Sequence, residues 1–170
     1  MTKQIFELVD DTALADTDVF AKEDSAGVAT KKISWASIKT ILETVYTILV
    51  TQPAEIGVAA SDEGTDLETG TGKLIFRMPF AMTLTEVRAS VTTAPTGSTI
   101  TVDINENGTS VLSTKLTIDA GEKTSETAIT QPVISDSSLA DDSEIRVDID
   151  QIGSSVAGTG LKVWLIGTRA

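Results

Sequence analysis

From Lys73 onward, apolar residues recur at every second position in short runs, and each run stops at a turn-forming residue. Leu74, Phe76 and Met78 make one such run, and Val87, Ala89 and Val91 another. Ile100, Val102 and Ile104 follow, then Ile145, Val147 and Ile149, then Leu161, Val163 and Leu165. A period of two belongs to a strand, whose successive side chains point to opposite faces. Pro95-Thr96-Gly97, Asn107-Gly108 and Asp119-Ala120-Gly121 separate the runs. Asn-Gly is the pair that most favours a two-residue hairpin, because both residues tolerate positive φ. Leu112, Leu116 and Ile118 continue the return from that hairpin. Ile129, Val133 and Ile134 give a shorter strand interrupted by Pro132, which marks an edge. About seven short strands of this kind predict a mainly β chain with an antiparallel, jelly-roll-like β-sandwich. Each sheet then buries one face and wets the other. On that phase Trp164 lies opposite the core residues of its strand, and Asp103, Asp148 and Asp150 fall on the solvent face.

The first third of the chain follows a different pattern. Ile5, Phe6, Leu8 and Val9 form a short apolar patch before a turn rich in side-chain acceptors at Asp10–Asp18. Val19-Phe20-Ala21 and Val28-Ala29 can pair across residues 23–27, a ribbon too small to stand alone and therefore expected to dock on something else. From Ser34 the period lengthens. Trp35, Ile38, Leu42, Val45 and Leu49 recur at spacings of three and four, with Ile41 and Ile48 widening the stripe. Ser34 suits the N-cap and Pro53 blocks continuation. Two readings of this helix stay open: it lies on its own domain, or it joins a short parallel bundle between copies. Residues 52–72, with several Gly and few large apolar side chains, read as a linker or a surface-hugging strap. The expected organisation is an arm at 1–33, a helix at 34–51, a linker at 52–72 and a sandwich at 73–170.

Charge and residue usage narrow the function classes. The formal net charge is −12, from 25 acidic against 13 basic residues, and Lys31-Lys32 is the only adjacent pair of cations. Nucleic-acid affinity depends on Lys and Arg neutralising phosphates, so neither nucleic acid nor an anionic membrane is an expected partner. The excess negative charge keeps a repeated surface soluble and self-repelling. Cys and His are absent, which removes disulfides, thiolate nucleophiles, imidazole bases and the usual zinc ligands. No apolar stretch approaches the roughly 20 residues that span a bilayer, and Met1-Thr2-Lys3-Gln4 leads into no signal-peptide core.

Three fragments look like known sites and fail on inspection. Asp103-x-Asn105-x-Asn107-Gly108 matches the opening of an EF-hand loop, but its twelfth position is Thr114 rather than a bidentate carboxylate, and its flanks are strands. Gly70-Thr71-Gly72-Lys73 lacks the earlier Gly and the following Ser or Thr of a phosphate-binding loop, having Leu67 and Leu74 there. Asn107-Gly108-Thr109 fits a glycosylation acceptor but is better read as the same hairpin. Carboxylates are plentiful, yet a compact sandwich with 4% aromatics offers little for a dry catalytic cleft. No catalytic residue, metal or cofactor is expected.

Two stretches resemble known proteins. Leu8-Val9-Asp10-Asp11-Thr12-Ala13-Leu14-Ala15-Asp16-Thr17-Asp18, followed by Lys31-Lys32-Ile33-Ser34-Trp35-Ala36-Ser37-Ile38, resembles the leader of many tailed-bacteriophage virion proteins. Residues Pro79–Ala89, Thr93–Gly97, Val102–Gly108 and Leu139–Asp142 are similar to a β-sandwich module of phage structural proteins. The resemblance implies a homotrimer made in the host cytoplasm and placed on the virion surface. Its N-terminal part would hold the major capsid protein or another virion protein, and its sandwich would face outward. The expected role is a non-enzymatic capsid decoration or head-fibre subunit. Docking would use Phe6, Leu8, Val19 and Phe20; self-association would use Trp35, Ile38, Leu42, Val45 and Leu49. The alternative is a tail-fibre or receptor-binding subunit that recognises a host surface glycan, which would call for aromatic residues on exposed loops.

Overall fold

Alternation in the C-terminal part becomes two antiparallel sheets packed over one apolar core. The structure is a computed structural model, and it describes residues 19–22, 31–50 and 52–170. The chain divides into two compact units, one ending at Val50 and one beginning at Thr51.

In the first unit β1 (Val19–Lys22) pairs antiparallel with β2 (Lys31–Ser34), with Phe20 opposite Ile33. Helix α1 (Trp35–Val50) follows without a break. Ser34 caps it: its Oγ accepts the Ser37 backbone N–H at 3.1 Å, satisfying one of the donors that the first turn leaves unpaired. The hydroxyls of Thr40 and Thr44 donate to the carbonyls of Ala36 and Thr40, so these polar side chains are satisfied on the helix itself.

The second unit contains β3 (Pro53–Ala59), β4 (Gly70–Arg77), β5 (Met82–Ser90), β6 (Ile100–Glu106), β7 (Thr109–Ser110) and β8 (Leu112–Thr114). It continues with β9 (Leu116–Ile118), β10 (Val133–Ile134), β11 (Ser138–Leu139), β12 (Glu144–Gln151) and β13 (Lys162–Arg169). One large sheet runs β11-β5-β13-β3 and the other β4-β12-β6-β7, with β9 also pairing to β6, while β8 and β10 form a separate two-stranded sheet. Ile100, Val102, Ile104, Leu116 and Ile145 from one sheet meet Leu84, Val87, Val163 and Leu165 from the other in a single buried cluster. Burying each such side chain stabilises the fold by about 1.5–3 kcal/mol. The core is aliphatic apart from half-buried Phe76 and Phe80 at its margin.

Asn107 (φ 49°) and Gly108 (φ 87°) form the two-residue turn between β6 and β7, with Glu106 paired to Thr109. Both φ values are positive, as the twist of a two-residue hairpin requires.

Two expectations are corrected. The stretch 52–72 is not a linker, because β3 pairs along its whole length with β13, from Pro53↔Thr168 to Lys162↔Ala59. Ala54, Ile56 and Val58 face the core, and Pro53 is tolerated as the first residue of an edge strand. Residues after β3 strap onto the sandwich: Ala60 N–H donates to Leu161 O at 2.8 Å, Leu67 N–H to Gly158 O at 2.9 Å, and both side chains are buried. The sandwich unit therefore begins near residue 52, with no separate linker before residue 73. Ile129, expected on a strand, is 93% exposed on a loop. Its N–H is taken by the Asp119 carboxylate at 2.8 Å, and the Gln131 side chain donates to Ala128 O, which fixes the loop instead of a ladder.

Candidate functional site

The docking residues proposed from sequence are only partly within reach of the structure. Phe6 and Leu8 lie outside the described residues. Val19 and Phe20 sit on β1, where the backbone pairing is described and the side chains are not. Of the self-association set, Trp35 and Ile38 are half-buried, Leu42 and Val45 are exposed, and Leu49 lies on α1 with its side chain outside the described set. The helix brings Ile41, Leu42, Val45 and Tyr46 onto one face across successive turns. All four are between 46% and 69% exposed. Lys39, Thr40, Glu43 and Thr44 occupy the other face, so the helix is amphipathic and its apolar stripe is open.

The outer face of the β4-β12-β6-β7 sheet carries Asp103, from the EF-hand-like fragment, and Asp148 on the neighbouring strand. They are not solvated as the alternation implied: Asp103 is 6% exposed and Asp148 5%. The two are direct cross-strand neighbours, an arrangement that repels unless each is neutralised. Arg146 grips Asp148 with Nε at 3.0 Å from Oδ1 and Nη2 at 3.0 Å from Oδ2. Asn105 Nδ2 donates to Asp148 Oδ2 at 3.1 Å and the Gly72 backbone N–H to Oδ1 at 2.6 Å. Asp103 accepts from Ser110 Oγ at 2.6 Å and pairs with Lys115 Nζ at 3.1 Å; Lys115 also binds Asp150. The Asp150 and Asp103 carboxylates hold Lys115 above the ordinary lysine range. Asn107 Oδ1 accepts the Glu144 N–H at 3.1 Å. Every carboxylate or amide of that fragment therefore has a protein partner, and the network reads as a cover for the sheet.

The other sheet presents a shallow depression on its outer face. β3, β13 and β5 set side chains in cross-strand rows: Glu55, Ile166 and Glu86 in one, and Gly57, Trp164 and Arg88 in the next. The indole lies over Gly57, close enough that a Cβ there would meet Trp164 Nε1 at 2.8 Å. Residues 123–125 extend the same sheet beyond β5, where Ser125 N–H donates to Ala89 O and Val91 N–H to Lys123 O. That pairing carries Thr124 and Glu126 to the rim, and the open depression has a volume of about 360 Å³. Arg88 Nε pairs with Glu86 at 2.5 Å and Nη1 with Glu126 at 2.8 Å. The hydrogen bond to Glu86, then the charges of Glu126 and Glu55, hold the guanidinium above its ordinary range. Sequence reading placed Trp164 on this face but missed the cluster, because its members come from three strands and a loop. No family model, curated protein or solved structure matches the chain.

Proposed function

We propose that the chain is a structural, non-enzymatic subunit of a tailed-bacteriophage particle, a capsid decoration or head-fibre protein that self-associates as a trimer through α1 and presents its sandwich outward. The open apolar stripe of Ile41, Leu42, Val45 and Tyr46 carries the reading. An isolated 16-residue helix is marginal in water and gains most of its stability by burying such a face. Packing against equivalent helices of other copies covers it with few residues. The leader-like stretches Leu8–Asp18 and Lys31–Ile38 support placement on a virion, with Phe6, Leu8, Val19 and Phe20 as the docking set toward a capsid or other virion protein. The satisfied carboxylate network of Asp103 and Asp148 supports a structural rather than a catalytic use of that face.

The tail-fibre reading draws on one observation, the indole of Trp164 in a surface depression, since a ring face of this kind can receive a sugar. Mass spectrometry of purified particles of the encoding phage separates the readings. The proposal expects the chain in the particle and retained on heads stripped of tails. Recovery with the tails alone favours the receptor-binding reading, and absence from the particle contradicts both.

A further inference from the structure

The depression around Trp164 has a chemistry of its own, independent of the virion reading. Its polar lining holds three carboxylates, Glu55, Glu86 and Glu126, against one guanidinium, Arg88. That balance leaves it two charges negative. Arg88 is already held by Glu86 and Glu126, whereas Glu55 has no hydrogen bond or close ion pair among the described residues. Lys162, next along β13 on the same face, is turned to Glu63 at 2.5 Å and the Gly160 carbonyl at 3.3 Å, so its charge is engaged elsewhere. The indole, set over the bare backbone of Gly57, adds a π-face beside these acids. Trp is the best aromatic partner for a cation, and flanking carboxylates add to the same attraction. The depression also opens beside β3, which pairs only with β13 among the described residues and so forms one edge of its sheet.

We infer that this depression is a docking site for an arginine or lysine side chain on an extended segment of a partner protein, with the cation over Trp164 and against Glu55 and Glu126. Charge complementarity selects this occupant. An anionic glycan or a nucleic acid meets like charge here, and a neutral sugar, although its hydroxyls can donate to the carboxylates, leaves the two surplus negative charges uncompensated.

The test uses the full chain and an acetylated, amidated hexa-arginine peptide as probe. The protein has two Trp residues, so its amide correlation spectrum contains two indole N–H peaks, assigned with Trp164→Phe. Titration is expected to shift the Trp164 peak saturably. The double variant Glu55→Gln/Glu126→Gln weakens binding about tenfold. The double variant Glu68→Gln/Asp141→Asn removes the same charge from exposed positions outside the depression and leaves affinity within about twofold. Equal weakening by both pairs would reduce the effect to bulk attraction by an acidic protein and overturn the inference. A Trp164 peak that ignores the peptide but moves with maltohexaose would replace it with a sugar platform.

Discussion

At the scale of single residues, buried charge decides more than composition suggests. Asp148 is almost wholly buried, and Arg146 is its only cationic partner among the described residues. Removing one member of a buried pair leaves an uncompensated charge, so Arg146→Met is expected to cost about 3 kcal/mol, read from the shift of the urea midpoint. The strap gives a second prediction. The backbone N–H and hydroxyl of Thr65, with the Gly64 N–H, hold the Asp62 carboxyl below its usual range. The Lys162 ammonium and the Thr92 hydroxyl do the same for Glu63. Carboxyls with depressed folded pKa values contribute stability that is present above the unfolded values of about 4 and is lost as pH falls through the folded ones. Carbon-detected titration should find both groups below the ordinary carboxylate range, and Leu67 N–H exchange should quicken relative to the core only as pH drops through that window. These buried and capped roles were not legible in the sequence. The alternation of β6 and β12 gave the correct face for Asp103 and Asp148, but the groups covering them arrive from Gly72, Ser110 and Lys115, whose proximity only the fold sets.

Elements were legible where one local rule had no competitor. The period-two runs at Ile100–Ile104, Ile145–Ile149 and Leu161–Leu165 became the central strands, since every second residue had an apolar core to meet. Asn107-Gly108 became the hairpin its left-handed tolerance demands, and Gly108→Ala, at φ 87°, is expected to destabilise the sandwich by about 1 kcal/mol without changing its register. β3 was missed because Pro53 and the glycines after it read as linker, although Ala54, Ile56 and Val58 already carried the strand period. Helix α1 belongs to the same scale. Its stripe is interrupted by no charge, so Leu42→Glu/Val45→Glu is expected to abolish self-association while the thermal transition of the sandwich stays within a few degrees. A large loss of the sandwich transition would instead make α1 part of that unit's own core.

For the whole molecule, the two units differ in kind: a small N-terminal unit with an open apolar helix, and an acidic sandwich whose core closes on itself. The measurement that tests this account most directly is sedimentation equilibrium of the full chain across the micromolar range. The account predicts a species of three times the 17.9 kDa chain mass that dissociates on dilution. A chain that stays at 17.9 kDa throughout would contradict it.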